Sequence, residues 1–386
     1  MDPRTQKKAL RYLPLLGRRH PVCPPLPERV QEIIDLACIA ERQDANALHS
    51  AAHALNKAAL LASDNGLSRE ARQLCWQHID VYRPAGHRLT TLQARYMLEP
   101  VVNLARLHIR DRDPEAALRI LKEMHHAGTT GTDLMVDGRV LPLGQLTGSQ
   151  EERNKLREWV WLQLLTDGTR ALTSTGRWED AVALAEAHRG IGTHLLEGRQ
   201  VAILAAFFSK RPDKARELLH ASTPTEPWEH QVASCLAVIC GSAGSQVHHT
   251  LSTAMIRAFR DREPVTGYAL FRVRLGLTVT ALAGIDVHSQ VPTLLRQVAA
   301  EAVDSGDGYA ARAALNHGIS GLRLPPHQRH ALVDLVAASG LDSGPLPPPL
   351  QARFANATDT AVRALSASLG RNVSLTVHDR APHHRS

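Results

Sequence analysis

The sequence predicts an all-α protein, an α-solenoid of stacked antiparallel helix pairs with a small inserted β-hairpin. Hydrophobic residues make up 44% of the chain but aromatic residues only 4%, and alanine- and leucine-rich chains of this kind favour helix over sheet. Five apolar helix patterns end at a turn and restart on a small residue: Ala71, Ala117, Ala181, Ala215 and Gly267. Closely packed helices need a small residue where their backbones approach, and stacked pairs bury a continuous core.

Proline positions support the same register. Pro114, Pro212 and Pro264 each lie three residues before the small residue of a second helix. Proline is tolerated in a first helical turn, because its missing N–H would have no partner there. The sequences Arg-Asp-Arg-Asp-Pro at 110–114 and Arg-Asp-Arg-Glu-Pro at 260–264 echo each other.

The helical elements follow in order. After Pro27, an apolar stripe predicts a first helix; its residues are Val30, Ile33, Ile34, Ala37 and Cys38. Five helix pairs follow, at about 45–64 with 68–82, 92–110 with 114–125, 151–175 with 178–189, 195–209 with 212–221, and a fifth near 250–274. Ser68 is the expected N-cap of its helix.

Residues 127–150 interrupt the helical pattern. Apolar residues flank Asp137-Gly138, which is a strong hairpin signal because both turn positions favour positive φ. The hairpin is either a lid or contact arm, or a tolerated surface insertion.

Composition suggests four segments. We expect a basic, proline-rich arm at 1–27, the repeat domain at 28–343, a proline-rich linker at 344–349, and a helix of about 350–369 with a basic tail within 350–386.

The register resembles that of the tetratricopeptide-repeat superfamily. Ala59 lies twelve residues before Ala71, and Ala105 twelve before Ala117, as in that family's 34-residue repeat. Leu104, Leu121, Leu219 and Pro227 also match the pattern, whereas Thr169, Ile203 and Met255 replace the small first-helix residue. The resemblance covers roughly residues 45–275. It implies a concave groove, lined by the first helices of the pairs, that binds peptides or a terminal carboxylate.

Charge and cysteine content limit the possible functions. The net charge of +7 is concentrated at the two ends, and a near-neutral body argues against a groove for duplex DNA. Five cysteines without framework spacing suit a reducing cytoplasm, and the arginine-rich, lysine-poor composition suggests a bacterial gene. We expect no membrane span. Cys38 and Cys75 lie on apolar faces and are expected to be buried thiols.

Motifs for catalysis, nucleotide binding or metal binding are not found in the sequence. Cys75 and His78 share a helix face, but they fall at packing positions of the repeat. We therefore predict no catalytic residue, no metal site and no cofactor.

By register, polar residues of the first helices project into the groove. The predicted groove residues are Asn56, Lys57, Asn103, Arg106, Gln163, Arg170 and Gln200, and Asp64 is expected to project into the groove with them. Asparagine side chains pair with both N–H and C=O of a peptide backbone, and the cations attract an anionic group. The alternative is an ordinary solvated helix face.

These patterns favour a non-catalytic, peptide- or protein-binding adaptor or regulator whose partner carries an acidic group or a C-terminal carboxylate. One alternative is an enzyme or accessory subunit with a site under the insertion, formed by Asp133, Asp137, Arg139 or His125. Another is a regulator that contacts nucleic acid through residues 4–19. The sequence leaves the oligomeric state open.

Overall fold

The computed structural model describes residues 10–84, 88–241, 245–283, 290–317 and 323–378. Over these residues the chain forms sixteen α-helices and one two-stranded antiparallel sheet. The prediction of an all-α, stacked-pair fold with a small hairpin is confirmed. Among the described helices, none has both the length and the apolar character needed to cross a lipid bilayer.

The chain divides into two compact units, each made from two stretches of sequence. The first unit comprises Leu26–Thr175 and Asp342–Ser386, and the second comprises Met1–Pro25 and Gly176–Leu341. The four-segment division stays a prediction. Arg4, Lys7 and Lys8 of the basic arm, and the tail from 379 onward, lie outside the described residues.

The first unit contains the two predicted N-terminal helix pairs. Its helices are α1 (Leu26–Glu41), α2 (Ala47–Asp64), α3 (Ser68–Asp80), α4 (Thr91–Arg110), α5 (Pro114–Thr130), α6 (Gln150–Ser174) and α16 (Pro348–His378). Helix α2 packs against α3, α4 against α5, and α5 against α6. Ala59, Ala71, Ala105 and Ala117 are all buried, which allows the close helix contacts that the register predicts.

Two helix ends differ from the sequence predictions. Leu67 is the N-cap of α3, and Ser68 is already helical and makes no capping hydrogen bond. Helix α16, which packs on α1 and α2, continues past Leu369 to His378. The helix runs through Gly370, since a single glycine costs only about 1 kcal/mol of helix stability.

The second unit continues the helix pairing to residue 338. Its helices are α7 (Trp178–Ala187), α8 (Glu197–Phe208), α9 (Pro212–His220), α10 (Pro227–Cys240), α11 (Ser245–Arg260), α12 (Ala269–Ala283), α13 (Val291–Asp304), α14 (Gly308–Leu315) and α15 (Pro326–Ala338). Helices α8 and α9, α10 and α11, α12 and α13, and α14 and α15 pack as neighbours. One apolar core joins them.

The fifth predicted pair is shifted along the chain. Gly267 has a φ of +86° and lies in the connection before α12, so it is a turn residue and not a helix-packing residue. Gly276 of α12 provides the close approach instead: a Cβ there would lie 2.4 Å from Cγ2 of Val298 on α13. The small residue that the helices need lies nine positions later than the pattern suggested.

The hairpin forms where the sequence places it. Strand β1 (Leu134–Val136) pairs with β2 (Arg139–Leu141), and Asp137 and Gly138 both have the expected positive φ values of 46° and 76°. Leu134, Val136 and Leu141 face inward, whereas Met135 and Val140 are exposed.

Candidate functional site

The candidate site lies on the first helices of the first unit, α2, α4 and α6. Capping boxes fix where two of these helices begin: Thr90 with Gln93 for α4, and Ser149 with Glu152 for α6. Each box satisfies N–H groups that a helix start leaves without a partner. Because α4 packs against both α2 and α6, side chains spaced four or seven residues apart on each helix meet those of its neighbours.

Eight side chains form what we call the polar row. Its members are Asn56 on α2; Glu99, Asn103, Arg106 and Arg110 on α4; and Gln163, Asp167 and Arg170 on α6. Hydrogen bonds link six of them: Glu99 to Asn56, Asn56 to Asn103, Asn103 to Arg106, and Arg106 to both Gln163 and Asp167.

The amide end of the row is tightly linked. The Nδ2 atom of Asn56 donates to Oε2 of Glu99 at 2.7 Å, and Nδ2 of Asn103 donates to Oδ1 of Asn56 at 3.2 Å. Burial raises the pKa of Glu99, while nearby Arg95 and the Asn56 hydrogen bond lower it. The two asparagines therefore lie side by side on neighbouring helices, half-buried and bound to each other.

Arg106 joins the amide end to α6. Its Nε donates to Oδ2 of Asp167 at 3.0 Å, and its two Nη atoms reach Gln163 at 3.4 Å and Asn103 at 3.5 Å. Asp167 is buried, whereas the Arg106 side chain is 45% exposed. Arg106 thus neutralises a buried carboxylate and still faces solvent.

A second buried carboxylate holds Arg110. Asp64 has no exposed surface, and its two oxygens accept from Nη2 of Arg29 at 2.6 Å and Nη2 of Arg110 at 3.0 Å. Asp64 therefore acts as an anchor for two arginines and does not project into open solvent as the register suggested.

Arg170 differs from these arginines. Its side chain is exposed, and within the described part of the chain it makes no ion pair. Surrounding protein lowers the pKa of its guanidinium chiefly by desolvation; Asp167 opposes this shift, and the nearby charges of Arg106 and Arg110 add to it. An arginine nevertheless stays protonated. The positive charges of Arg106, Arg110 and Arg170 therefore lie close together and exceed the negative charges of Asp64 and Asp167.

Two predicted groove residues lie away from the row. Lys57 forms an ion pair with Glu32 of α1, at 2.9 Å. Gln200 belongs to the second unit, is fully buried, and binds the main chain of Leu15.

The insertion residues have local structural roles. Oδ1 of Asp133 accepts from the N–H groups of Leu143 and Gly144, at 3.1 and 2.8 Å. Asp137 is in the hairpin turn, and Arg139 stacks 4.3 Å from the ring centre of Trp76. These contacts hold the insertion in place.

Asp137 also lies near His108 of α4: burial and Arg72 lower the pKa of His108, and the charges of Asp113, Asp137 and Asp111 oppose this shift. The His108 ring contacts Arg72 at 3.1 Å and Asp113 at 3.5 Å.

Sequence reasoning missed three members of the row. Glu99 lies four residues before Asn103, Arg110 four after Arg106, and Asp167 four after Gln163. Extending the predicted set by one helical turn in each direction would have found them.

The two cysteine predictions have different outcomes. Cys38 is exposed, so the prediction of a buried thiol is wrong there; it lies at the edge of a stripe whose Val30, Ile33 and Ala37 are buried. Cys75 is buried as predicted, and burial raises its pKa to about 12. Within the described residues, no group of three or more His, Cys, Asp or Glu side chains is arranged to hold a metal ion.

The described part of the basic arm is engaged within the second unit. Nη1 of Arg11 donates to the carbonyl of Asn316 at 2.8 Å, and Arg18 pairs with Glu197 at 2.8 Å. Arg11 and Arg18 therefore already have partners in the protein, whereas binding of nucleic acid through residues 4–19 would need their charges.

Comparisons with known proteins give little further information. No protein-family model and no curated protein matches the chain. A solved structure described as a circular tandem repeat protein with novel repeat topology and enhanced subunit contact surfaces is similar at 14% identity, over 90% of this chain and 85% of that one, with a TM-score of 0.19.

Proposed function

We propose that this protein is a non-catalytic, tetratricopeptide-like adaptor or regulator that binds a peptide or protein segment along the polar row. Its ligand carries an acidic side chain or a free C-terminal carboxylate. The alanines buried at the α2–α3 and α4–α5 contacts support the tetratricopeptide resemblance. The polar row spans three neighbouring first helices and exposes its three arginines, which supports the binding role.

One observation carries this proposal: Arg170 is exposed and makes no ion pair among the described residues, beside Arg106 and Arg110. Clustered guanidinium groups repel one another, and an anion placed among them relieves the repulsion while gaining charge-assisted hydrogen bonds. Asn56 and Asn103 lie next to this cluster and offer amide groups to a peptide main chain.

Arg170→Gln is the sharpest test of the site. Replacing Arg106 would leave buried Asp167 without this ion pair, and replacing Arg110 would remove one of the two arginines that bind buried Asp64. Arg170 forms no ion pair among the described residues, so its replacement leaves no buried carboxylate without its cation. The matched control is Arg119→Gln, at an exposed position on α5.

The probes are two pools of short random-sequence peptides, one with free C-termini and one amidated, passed over the immobilised protein and identified by mass spectrometry. We expect the wild-type protein to enrich anionic peptides. Loss of one charge-assisted contact weakens binding by about 10- to 100-fold in Arg170→Gln, with little change in Arg119→Gln.

The two pools separate the two kinds of anion, since only acidic side chains survive amidation. Enrichment of neutral peptides, or equal retention by both variants, would contradict the proposal.

A further inference from the structure

The N-terminal segment crosses the second unit in the manner of a bound peptide. Residues 15–25 have no regular secondary structure, yet Leu13, Leu15 and Cys23 are buried against the helices of this unit. We call residues 10–25 the strap. Its contacts concentrate on main-chain atoms, as expected where a site recognises a linear segment.

The first contact is made by Gln200 of α8. Its Oε1 accepts from the N–H of Leu15 at 2.8 Å, and its Nε2 donates to the carbonyls of Leu15 and Leu195 at 2.6 and 2.7 Å. One amide side chain thus pairs with both main-chain groups of a single strap residue. With the strap in place Gln200 has no exposed surface, so these hydrogen bonds form away from water, where a strap residue that could not make one of them would cost about 1–3 kcal/mol.

A second contact holds Cys23. Its N–H donates to Oδ1 of Asp307 at 3.0 Å, and its carbonyl accepts from the N–H of Gly308 at 3.0 Å and from Oγ of Ser339 at 3.2 Å. Between the two contacts, the N–H of His20 donates to the carbonyl of Gly267 at 2.8 Å. The strap is therefore bound along its length by its main chain.

Side chains give this recognition its selectivity. Leu13 and Leu15 enter the apolar core of the unit. Gly17 lies against the indole of Trp228, where a Cβ would be only 2.2 Å from Cγ of the ring. Arg18 forms an ion pair with Glu197 at 2.8 Å. The pattern recognised within residues 13–18 therefore includes leucine at 13 and 15, glycine at 17 and arginine at 18.

We propose that the second unit is a receptor for a linear basic peptide with this pattern, and that the strap is its ligand supplied by the same chain. The site is separate from the polar row, and its ligand has the opposite charge. When the strap leaves, Gln200 keeps its hydrogen bond to the carbonyl of Leu195 and Asp307 keeps the one it accepts from the N–H of Tyr309. The site therefore stays formed, and a competing segment enters as the strap leaves.

The test makes the strap separable within the full chain. A protease recognition sequence is inserted between Pro24 and Pro25, the purified protein is cleaved, and a fluorescent peptide of residues 10–24 is added. We expect the labelled peptide to replace the cleaved strap, giving saturable anisotropy, and far-ultraviolet circular dichroism to show the helices intact.

Three peptide variants test the recognition. Gly17→Ala should compete about 10- to 100-fold more weakly because of the clash with Trp228. A peptide methylated on the Leu15 nitrogen loses the hydrogen bond to Gln200 and should weaken similarly. Val22→Ala is the control and should compete like wild type, since Val22 is 44% exposed.

Two results would overturn the proposal. If cleavage unfolds the helices, or if the cleaved strap never exchanges with excess peptide, the strap is a permanent part of the core. If Gly17→Ala and Val22→Ala compete equally, the binding does not use the site described here. Neither result bears on the polar row, which is tested separately through Arg170.

Discussion

His78 of α3 makes the stability of the first unit depend on pH. Its side chain is 1% exposed, and neither ring nitrogen has a hydrogen-bond partner among the described residues. The ring centre of Tyr82 lies 5.9 Å away, and the Tyr82 hydroxyl also lacks a partner there. No described group therefore compensates the imidazolium charge at this position.

The magnitude follows from proton linkage. Burial lowers the pKa of His78 to about 3 from its ordinary value of 6.5. Between these values the unfolded chain binds a proton that the folded unit does not, so stability rises with pH in this window. The full stability is present above pH 6.5 and is lost as pH falls towards 3. The slope is about 1.4 kcal/mol per pH unit, or about 2 kcal/mol at pH 5.

Hydrogen exchange of the α3 amides measures this effect where it arises. The opening free energy would be compared at pH 7 and pH 5 for wild type, His78→Leu and the exposed control His230→Leu. At pH 7 we expect His78→Leu to differ from wild type by at most about 1 kcal/mol, because an apolar side chain of similar size replaces an unpartnered polar one.

Between pH 7 and pH 5, His78→Leu should lose about 2 kcal/mol less than wild type. Other titrating groups contribute equally to both proteins and cancel in this difference. Parallel losses in wild type and His78→Leu would refute the reasoning, as would a reduced loss in His230→Leu.

Three further substitutions or treatments have defined outcomes. Asp64→Ala should cost about 3–5 kcal/mol in urea unfolding, because buried Arg29 loses its carboxylate; Asp35→Ala, at an exposed position on α1, is the control. Gly276→Ala should destabilise the second unit by about 1–3 kcal/mol through overlap with Val298, read from α12 amide exchange. In the native protein a maleimide should label Cys38 within minutes and leave the buried cysteines unmodified, as checked by mass spectrometry of peptides.

The sequence predicted the helices better than it predicted the contacts between them. Periodicity and proline placement predicted the helices of the first four pairs, because those signals are local. The third predicted pair is nevertheless divided between the two units: α6 packs against α5, and α7 packs against α8. Gly267 was misplaced because a small residue looks the same in sequence whether it relieves a helix contact or adopts a positive φ. Only the packing of α12 on α13 distinguishes it from Gly276.

The same limit applies to the candidate site. Asn103 and Gln200 are both polar residues on first helices, and register alone predicted the same role for both. Which of them faces solvent depends on whether another part of the chain passes over the helix. The strap lies far from Gln200 in sequence, so no local pattern reveals that it covers this side chain.

The contrast between these amides constrains how tightly the polar row can bind. The side chain of Gln200 bonds the main chain of Leu15 and Leu195, whereas the side chains of Asn56 and Asn103 bond each other and Glu99. Each of these bonds uses one of the two N–H groups on an Nδ2 atom, so the asparagines have only part of their hydrogen-bonding capacity left for a peptide, and each neutral hydrogen bond adds only about 0.5–1.5 kcal/mol. Arg170 has no ion pair to break within the described residues. The affinity of the row should therefore come mainly from the anion at Arg170, which makes Arg170→Gln more damaging to binding than Asn103→Ala.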